Sequence, residues 1–360
     1  MDMPHDSCGI LVRGTTQAAA IFALLDVPLQ IQVGANAVTC TLAADYAALI
    51  APDGDTLELN TRLGFDSLQN ERDLDREILL AMLLSPVTFE FPSEAELAAH
   101  LRIRKYVVQA ARNTQLDFHT TEAERPVDYW TYHEDTGFTI LPGKSLAEAL
   151  RKATQPDDVR HLYSFSCYRA SEYVILLGIV QELPQSNPEL FMQLQQQWQT
   201  KSIQSGKFHD TFLREYGSMA QPLPPRYYVP GDRLWFRNPD AYSSDASGYE
   251  GSWVIYLGGG LFSNFWNRAQ PYTLTGKCIE IYHWRNATYH DAAGELRVDE
   301  GKVAELVRQT LQHPAEVERI LVRMLRMREP AGLYVNGGCI DTTREYPRWV
   351  CAGTSDIVLP

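Results

Sequence analysis

The spacing of apolar and polar positions changes twice along the chain. Over residues 1–65, "LQIQVGANAVTCTL" alternates about Gly34, and "PDGD" at 52–55 is a turn signal ahead of "TLELN". A small strand-rich antiparallel unit is expected there. Between 66 and 290 a helical period takes over. "DREILLAMLLSP" reads as a helix stopped by Pro86, "VTFEF" as a short strand. "SEAELAAHLRIRKYVVQAAR" opens with a capping box, Ser93 and Glu96, and carries its apolar stripe through Leu97, Leu101 and Val108. "SLAE" at 145–148 repeats that opening. From Ala170, the residues Val174, Ile175, Leu176, Leu177, Ile179, Val180 and Leu183 leave almost no polar stripe, which predicts a helix buried on most sides. Asn187-Pro188 starts another, with Phe191, Leu194 and Trp198 on one face.

After the Pro-rich link "QPLPPRYYVPGD" come three strand candidates, "RLWFRN", "SWVIYLG" and "GKCIEIYHW". Residues 291–360 hold "DEGKVAELVRQTLQHPAEVERILVRMLRM", a helical hairpin broken at His313-Pro314, and then short strands and turns. Helices preceding an antiparallel sheet make an α+β fold. The two ends are additions to the middle part, and neither shows a motif.

Composition narrows the function. With 360 residues, 45% of them hydrophobic, the chain has ample material for a core. A net charge of -13 argues against nucleic acid and anionic membrane as partners. The start "MDMPHDSCGILVRG" lacks a basic region followed by an apolar one, and "YVILLGIV" is too short to span a bilayer. A soluble, cytoplasmic protein is expected, with export by a signal-independent route left open. The six cysteines are scattered without a CxxC pair or zinc spacing, so they read as reduced thiols, and no metal or cofactor is expected.

One cysteine stands out. In "YSFSCYRASEYVILL", Ser164 or Ser166 can cap the buried helix and set Cys167 in its first turn. Backbone N–H groups and the positive dipole end favour a thiolate there, as a nucleophile needs. The alternative role is that of a small buried hydrophobe.

These stretches carry a resemblance. Residues from about 79 to 285 resemble the bacterial spore-coat type of protein-glutamine gamma-glutamyltransferase, a compact transglutaminase distantly related to NlpC/P60-like cysteine peptidases. Four segments match in order: "LLAMLLSPVTFEFPSEAELAAHLRIRKYVVQAA", "YSFSCYRASEYVILL", "PGDRLWFRNPD" and "GSWVIYLGGGLF". The resemblance implies a papain-like/NlpC-P60-like core, with the cysteine helix packed on an antiparallel sheet. It also implies acyl transfer. A Cys167 thiolate attacks a glutamine carboxamide, ammonia leaves, and a lysine amine resolves the thioester, or water does so and the glutamine is deamidated. The implied partners are proteins bearing glutamine and lysine side chains.

The rest of the machinery departs from the pattern. Where the family carries Glu before the cysteine, Glu at the hairpin and His on the return strand, this chain has Ser166, Ser252 and Phe265. Two stand-ins are expected to join Cys167 in catalysis. Glu250 lies two residues before Ser252, on the same face if the strand begins early. Asn264, one residue from Phe265, needs a bulge to turn inward and can then orient or donate but not act as a base. His283, on the third strand candidate, and His161 are further possibilities. "QLQQQWQTKSIQ", with its glutamines and Lys201, can be a self-crosslinking segment or the solvent face of a helix. The alternative function is a pseudoenzyme that keeps the core for binding or scaffolding.

Overall fold

A computed structural model describes residues 8–16, 20–118, 122–158, 160–329 and 337–360. The beginning of the chain and residues 330–336 of the tail lie outside the described residues. The architecture is mixed α+β, and among the described residues no helix is long and apolar enough to cross a membrane.

Strands β1 (Ile10–Arg13) and β3 (Ala37–Leu42) alternate in burial as expected, β2 (Leu29–Val33) is largely exposed, and β2 and β3 form the hairpin about Gly34. Their sheet takes its fourth strand, β4 (Phe89–Phe91), from the middle part, paired parallel to β1. Val38, Cys40 and Leu42 therefore share one core with helix α1 (Glu71–Leu83). The "TLELN" stretch is not a strand: Leu59–Leu63 is helical.

Helix α2 (Glu94–Asn113) is capped by Ser93, whose Oγ accepts from the Glu96 N–H at 3.1 Å. The reciprocal half of the box is spent elsewhere. The Glu96 carboxylate accepts from the Val350 and Cys351 N–H groups at 2.6 and 3.0 Å and ties down the tail. Beyond α3 (Leu146–Thr154) runs α4 (Cys167–Ser186), buried on nearly all sides against α2, α3 and the sheet. α4 crosses α2 at Gly178, where a Cβ would meet Val107 Cγ2 at 2.5 Å. Helix α5 (Pro188–Thr200) buries Leu190, Leu194 and Trp198 and leaves Gln193, Gln196 and Gln199 exposed.

The central sheet is six-stranded and antiparallel. Its members are β5 (Leu213–Tyr216), β6 (Arg233–Arg237), β7 (Gly251–Gly258), β8 (Leu261–Phe262), β9 (Tyr272–Thr273) and β10 (Arg344–Pro347), in the order β9-β8-β7-β6-β10-β5. The tail strand β10 thus sits inside the sheet. The turn into β6 is held by Asp232, whose carboxylate accepts from the Val229 N–H at 2.8 Å and from Arg104 of α2 at 2.9 Å, all buried.

The third strand candidate is corrected: "GKCIEIYHW" lies in a helix, α6 (Leu274–Trp284), capped by Thr273 Oγ1, which accepts from the Gly276 N–H at 3.0 Å. Its closely spaced isoleucines mimic a strand because α6 is covered on two sides. Cys278, Ile279 and Ile281 share a core with Phe236 and Val254 of the sheet and with Ile320 and Met324 beyond. The latter come from the expected helical hairpin, α7 (Glu300–Thr310) and α8 (Pro314–Met324).

Candidate active site

Ser166 caps α4, its Oγ accepting from the Arg169 N–H at 3.2 Å, and Cys167 is the first residue of the helix. Cys167 lines a cavity together with Gly251 and Ser252 at the start of β7, and the backbone N–H groups of Trp253 and Tyr168 favour the ionised form of its sulfur. What lies behind is rigid. The Trp253 ring stacks on Trp235 at 6.0 Å, meets Tyr168 edge-on at 5.3 Å, and lies 3.9 Å from the buried Arg233 guanidinium. Arg233 is itself fixed by Glu345 at 2.6 Å and Ser171 at 2.8 Å. Gly251 is required beside this stack, because a Cβ there would meet the Trp235 indole nitrogen at 2.1 Å.

Cys167 opens into a cavity of about 600 Å³. Ser252 of β7, Tyr272 of β9 and Lys277, Glu280 and Trp284 of α6 line it, and α7 closes one side through Glu300, Val303 and Val307. Helix α7 thus builds a wall of the site. Lys277 is almost wholly buried, with Nζ 2.8 Å from Glu280 Oε1 and 4.0 Å from the centre of the Tyr272 ring. Across the cavity the Tyr249 hydroxyl donates to Glu300 at 3.0 Å.

Burial pushes the Cys167 thiol above its ordinary pKa, opposed by the Trp253 N–H, the Lys277 charge, the Tyr168 N–H and the Arg233 charge. The helix terminus alone does not leave a ready thiolate. Burial, and then the Glu280 charge, likewise holds the Tyr272 hydroxyl well above its usual range. The alkylation rate of Cys167 is therefore expected to keep rising with pH beyond the ordinary thiol value of about 8.5. Mass-mapped iodoacetamide labelling across pH checks this; a plateau below that value contradicts it.

Among the residues singled out in the sequence, Cys167, Ser252 and Asn264 line the cavity. The Asn264 amide is engaged in its own turn: Nδ2 donates to the Gln270 carbonyl at 2.9 Å, and Oδ1 accepts from the Trp266 and Asn267 N–H groups at 3.2 and 3.1 Å. Glu250 is exposed on the loop before β7 and is not part of the lining. Its carbonyl accepts from the Asn238 N–H at 3.0 Å. On that placement Glu250→Gln is expected to change turnover less than about twofold, as surface substitutions do; steady-state rates decide it, and a loss of about 10²-fold would give it a catalytic part.

Phe265 is buried in the core, while Trp266 forms part of the cavity wall against Phe118 at 5.0 Å. His283 is on α6 rather than a strand and faces α7, its Nε2 2.7 Å from Thr310 Oγ1. His161 is exposed and packs on Tyr163, in a different groove. Among the described residues no histidine lines the cavity and no cluster of three His, Cys, Asp or Glu side chains can hold a metal.

Lys277, Glu280 and Tyr272 escaped the sequence reading. Their signal was present in the Thr273 cap and in the i, i+3 spacing of Lys277 and Glu280, which only a helix turns to one side.

The family model described as protein-glutamine gamma-glutamyltransferase matches residues 56–333. No curated protein matches the chain. Among solved structures, the transglutaminase from Geobacillus stearothermophilus (without its C-terminal extension) is 20% identical over 60% of this chain and 98% of that chain, with a TM-score of 0.40.

Proposed function

The chain belongs to the protein-glutamine gamma-glutamyltransferase family, and on that footing we propose that it transfers the acyl group of a protein glutamine through a thioester at Cys167. The observation that carries this reading is a cysteine that is the first residue of a buried helix and lines a cavity of about 600 Å³. A helix bearing the cysteine and an antiparallel sheet behind it also support the papain-like, NlpC/P60-like layout.

In this reading the Cys167 thiolate attacks the carboxamide carbon of a glutamine side chain. The C–N bond breaks, ammonia leaves, and a thioester forms. A lysine amine of a second protein then attacks the thioester, giving an isopeptide bond. Water in place of the amine gives glutamate. The fixed Trp253 and Tyr168 N–H groups stabilise negative charge on the sulfur without reorganising.

A second reading rests on a different observation. The positions where relatives carry two glutamates and a histidine are Ser166, Ser252 and Phe265, and burial holds the thiol protonated. A pseudoenzyme that binds glutamine-bearing segments without turnover fits these facts.

Mass spectrometry after incubation with a glutamine peptide and a primary amine separates the outcomes. Amine incorporation with loss of ammonia means transfer, and a gain of about one dalton means deamidation; both pass through the acyl-enzyme. An unchanged peptide supports the pseudoenzyme.

A further inference from the structure

We infer that Lys277, held by Glu280, is the proton-transfer residue of this site, in the place of the histidine that no described residue supplies beside Cys167. The inference rests on the acyl-transfer reading above. Three observations point to it. Lys277 is a buried cation on the wall of the same cavity as the sulfur, and its charge acts directly on the Cys167 thiol. It is oriented, since Glu280 Oε1 takes one N–H at 2.8 Å and the ring centres of Tyr272 and Trp284 lie 4.0 and 5.9 Å from Nζ. No histidine among the described residues lines the cavity to do the task instead.

A lysine ammonium has three donors, so the bond to Glu280 leaves others for a reacting group. A buried Lys–Glu pair is costly unless its charges are well placed, and a hydrophobic replacement often matches its stability. A pair kept at the edge of a cavity beside a nucleophile is better explained by chemistry than by stability.

The thiol loses its proton to solvent, and the thiolate forms beside the Lys277 ammonium. Sulfur bonds to the carboxamide carbon, and Lys277 gives a proton to the leaving nitrogen. Ammonia departs, leaving a thioester and a neutral Lys277 amine. An acceptor enters as a free amine, its nitrogen bonds to the acyl carbon, and its proton passes to Lys277. The carbon–sulfur bond breaks, and the thiolate and the ammonium are restored. Glu280 is a positioning residue, since it acts through Lys277. The other titratable groups around Lys277 are Tyr272 from β9, Tyr249 from the loop before β7, Glu300 and Arg308 from α7, and the buried thiols Cys278 of α6 and Cys339, with Arg233 behind Cys167.

The test compares wild type with Lys277→Met and Lys277→Arg, with folding checked by melting. Two quantities are read: ammonia release from a glutamine peptide, and the pH dependence of iodoacetamide labelling at Cys167. Lys277→Met is expected to lower kcat by about 10²-fold or more, with KM little changed, as loss of a general acid does. It also moves the labelling curve to higher pH, because a cation has gone from beside the sulfur. Lys277→Arg returns the labelling curve toward wild type without restoring kcat, since a guanidinium keeps its proton at these pH values. Wild-type kcat in Lys277→Met, or recovery of kcat in Lys277→Arg, overturns the proton-transfer role. A wild type that releases no ammonia overturns the acyl-transfer reading and this role with it, and the labelling shift then reports charge coupling alone.

Discussion

Cys167→Ala is expected to abolish amine incorporation, lowering turnover by at least about 10³-fold, because no other group can form the thioester. The substitution removes one sulfur from a side chain that lines a cavity and is not part of the packed core, so the fold is expected to survive. Cys167→Ser is the sharper variant. It keeps shape and a hydrogen-bonding oxygen, but a hydroxyl stays protonated where the thiol ionises, so it is expected to be nearly as inactive. Amine incorporation into casein measures both. Transfer at the parent rate in either variant would place the nucleophile elsewhere, and the other five thiols offer poor alternatives: Cys40, Cys278, Cys339 and Cys351 are buried, Cys8 is exposed, and none of the five lines this cavity.

Gly178→Val is expected to cost about 3 kcal/mol, at the upper end of overpacking effects. The sign is decided by packing against propensity. In a helix interior, replacing glycine by alanine normally stabilises by roughly 0.5–1 kcal/mol. Here a Cβ would sit 2.5 Å from Val107 Cγ2 and 3.0 Å from the Val107 backbone nitrogen, which cannot rotate away. Even Gly178→Ala is therefore expected to destabilise, and valine adds two methyls to the same contact. Urea unfolding at constant m-value reads the loss directly. A stabilised alanine variant would show that α2 and α4 can part at no cost, and that the cysteine helix is held less tightly than its burial indicates.

The sequence was most informative where one property decides local structure. Ser93, Asn187 and the apolar run after Ala170 marked three helices because caps and burial period are local signals. Cys167 was legible for the same reason, as a thiol just past a serine cap. The remainder of the site was not. "CIEIY" alternates in the way an edge strand does, and only the sheet on one side of α6 and α7 and α8 on the other explain why a helix there carries apolar residues on two faces. Reading it as a strand hid Lys277 and Glu280 and drew attention to His283, which faces away from the cavity.

The tail was opaque for another reason. β10 enters the central sheet between β6 and β5, pairing Glu345 with Arg233 and Arg344 with Tyr216, and Glu96 of α2 binds the distant backbone at Val350 and Cys351, all long-range pairings that no local pattern encodes. The capping-box reading of Glu96 illustrates the limit: the residue type was right for the motif, but tertiary structure claimed its side chain.

The central claim is that Cys167 forms a covalent acyl intermediate. Its most direct test is to quench the protein in acid shortly after mixing with a glutamine peptide and no amine, then map the protein by mass. The account predicts an adduct equal to the peptide less one ammonia, confined to the segment containing Cys167, removed by hydroxylamine, and absent from Cys167→Ala. An adduct on another residue, or ammonia release by wild type with no thioester at any quench time and unchanged release in Cys167→Ala, would contradict it.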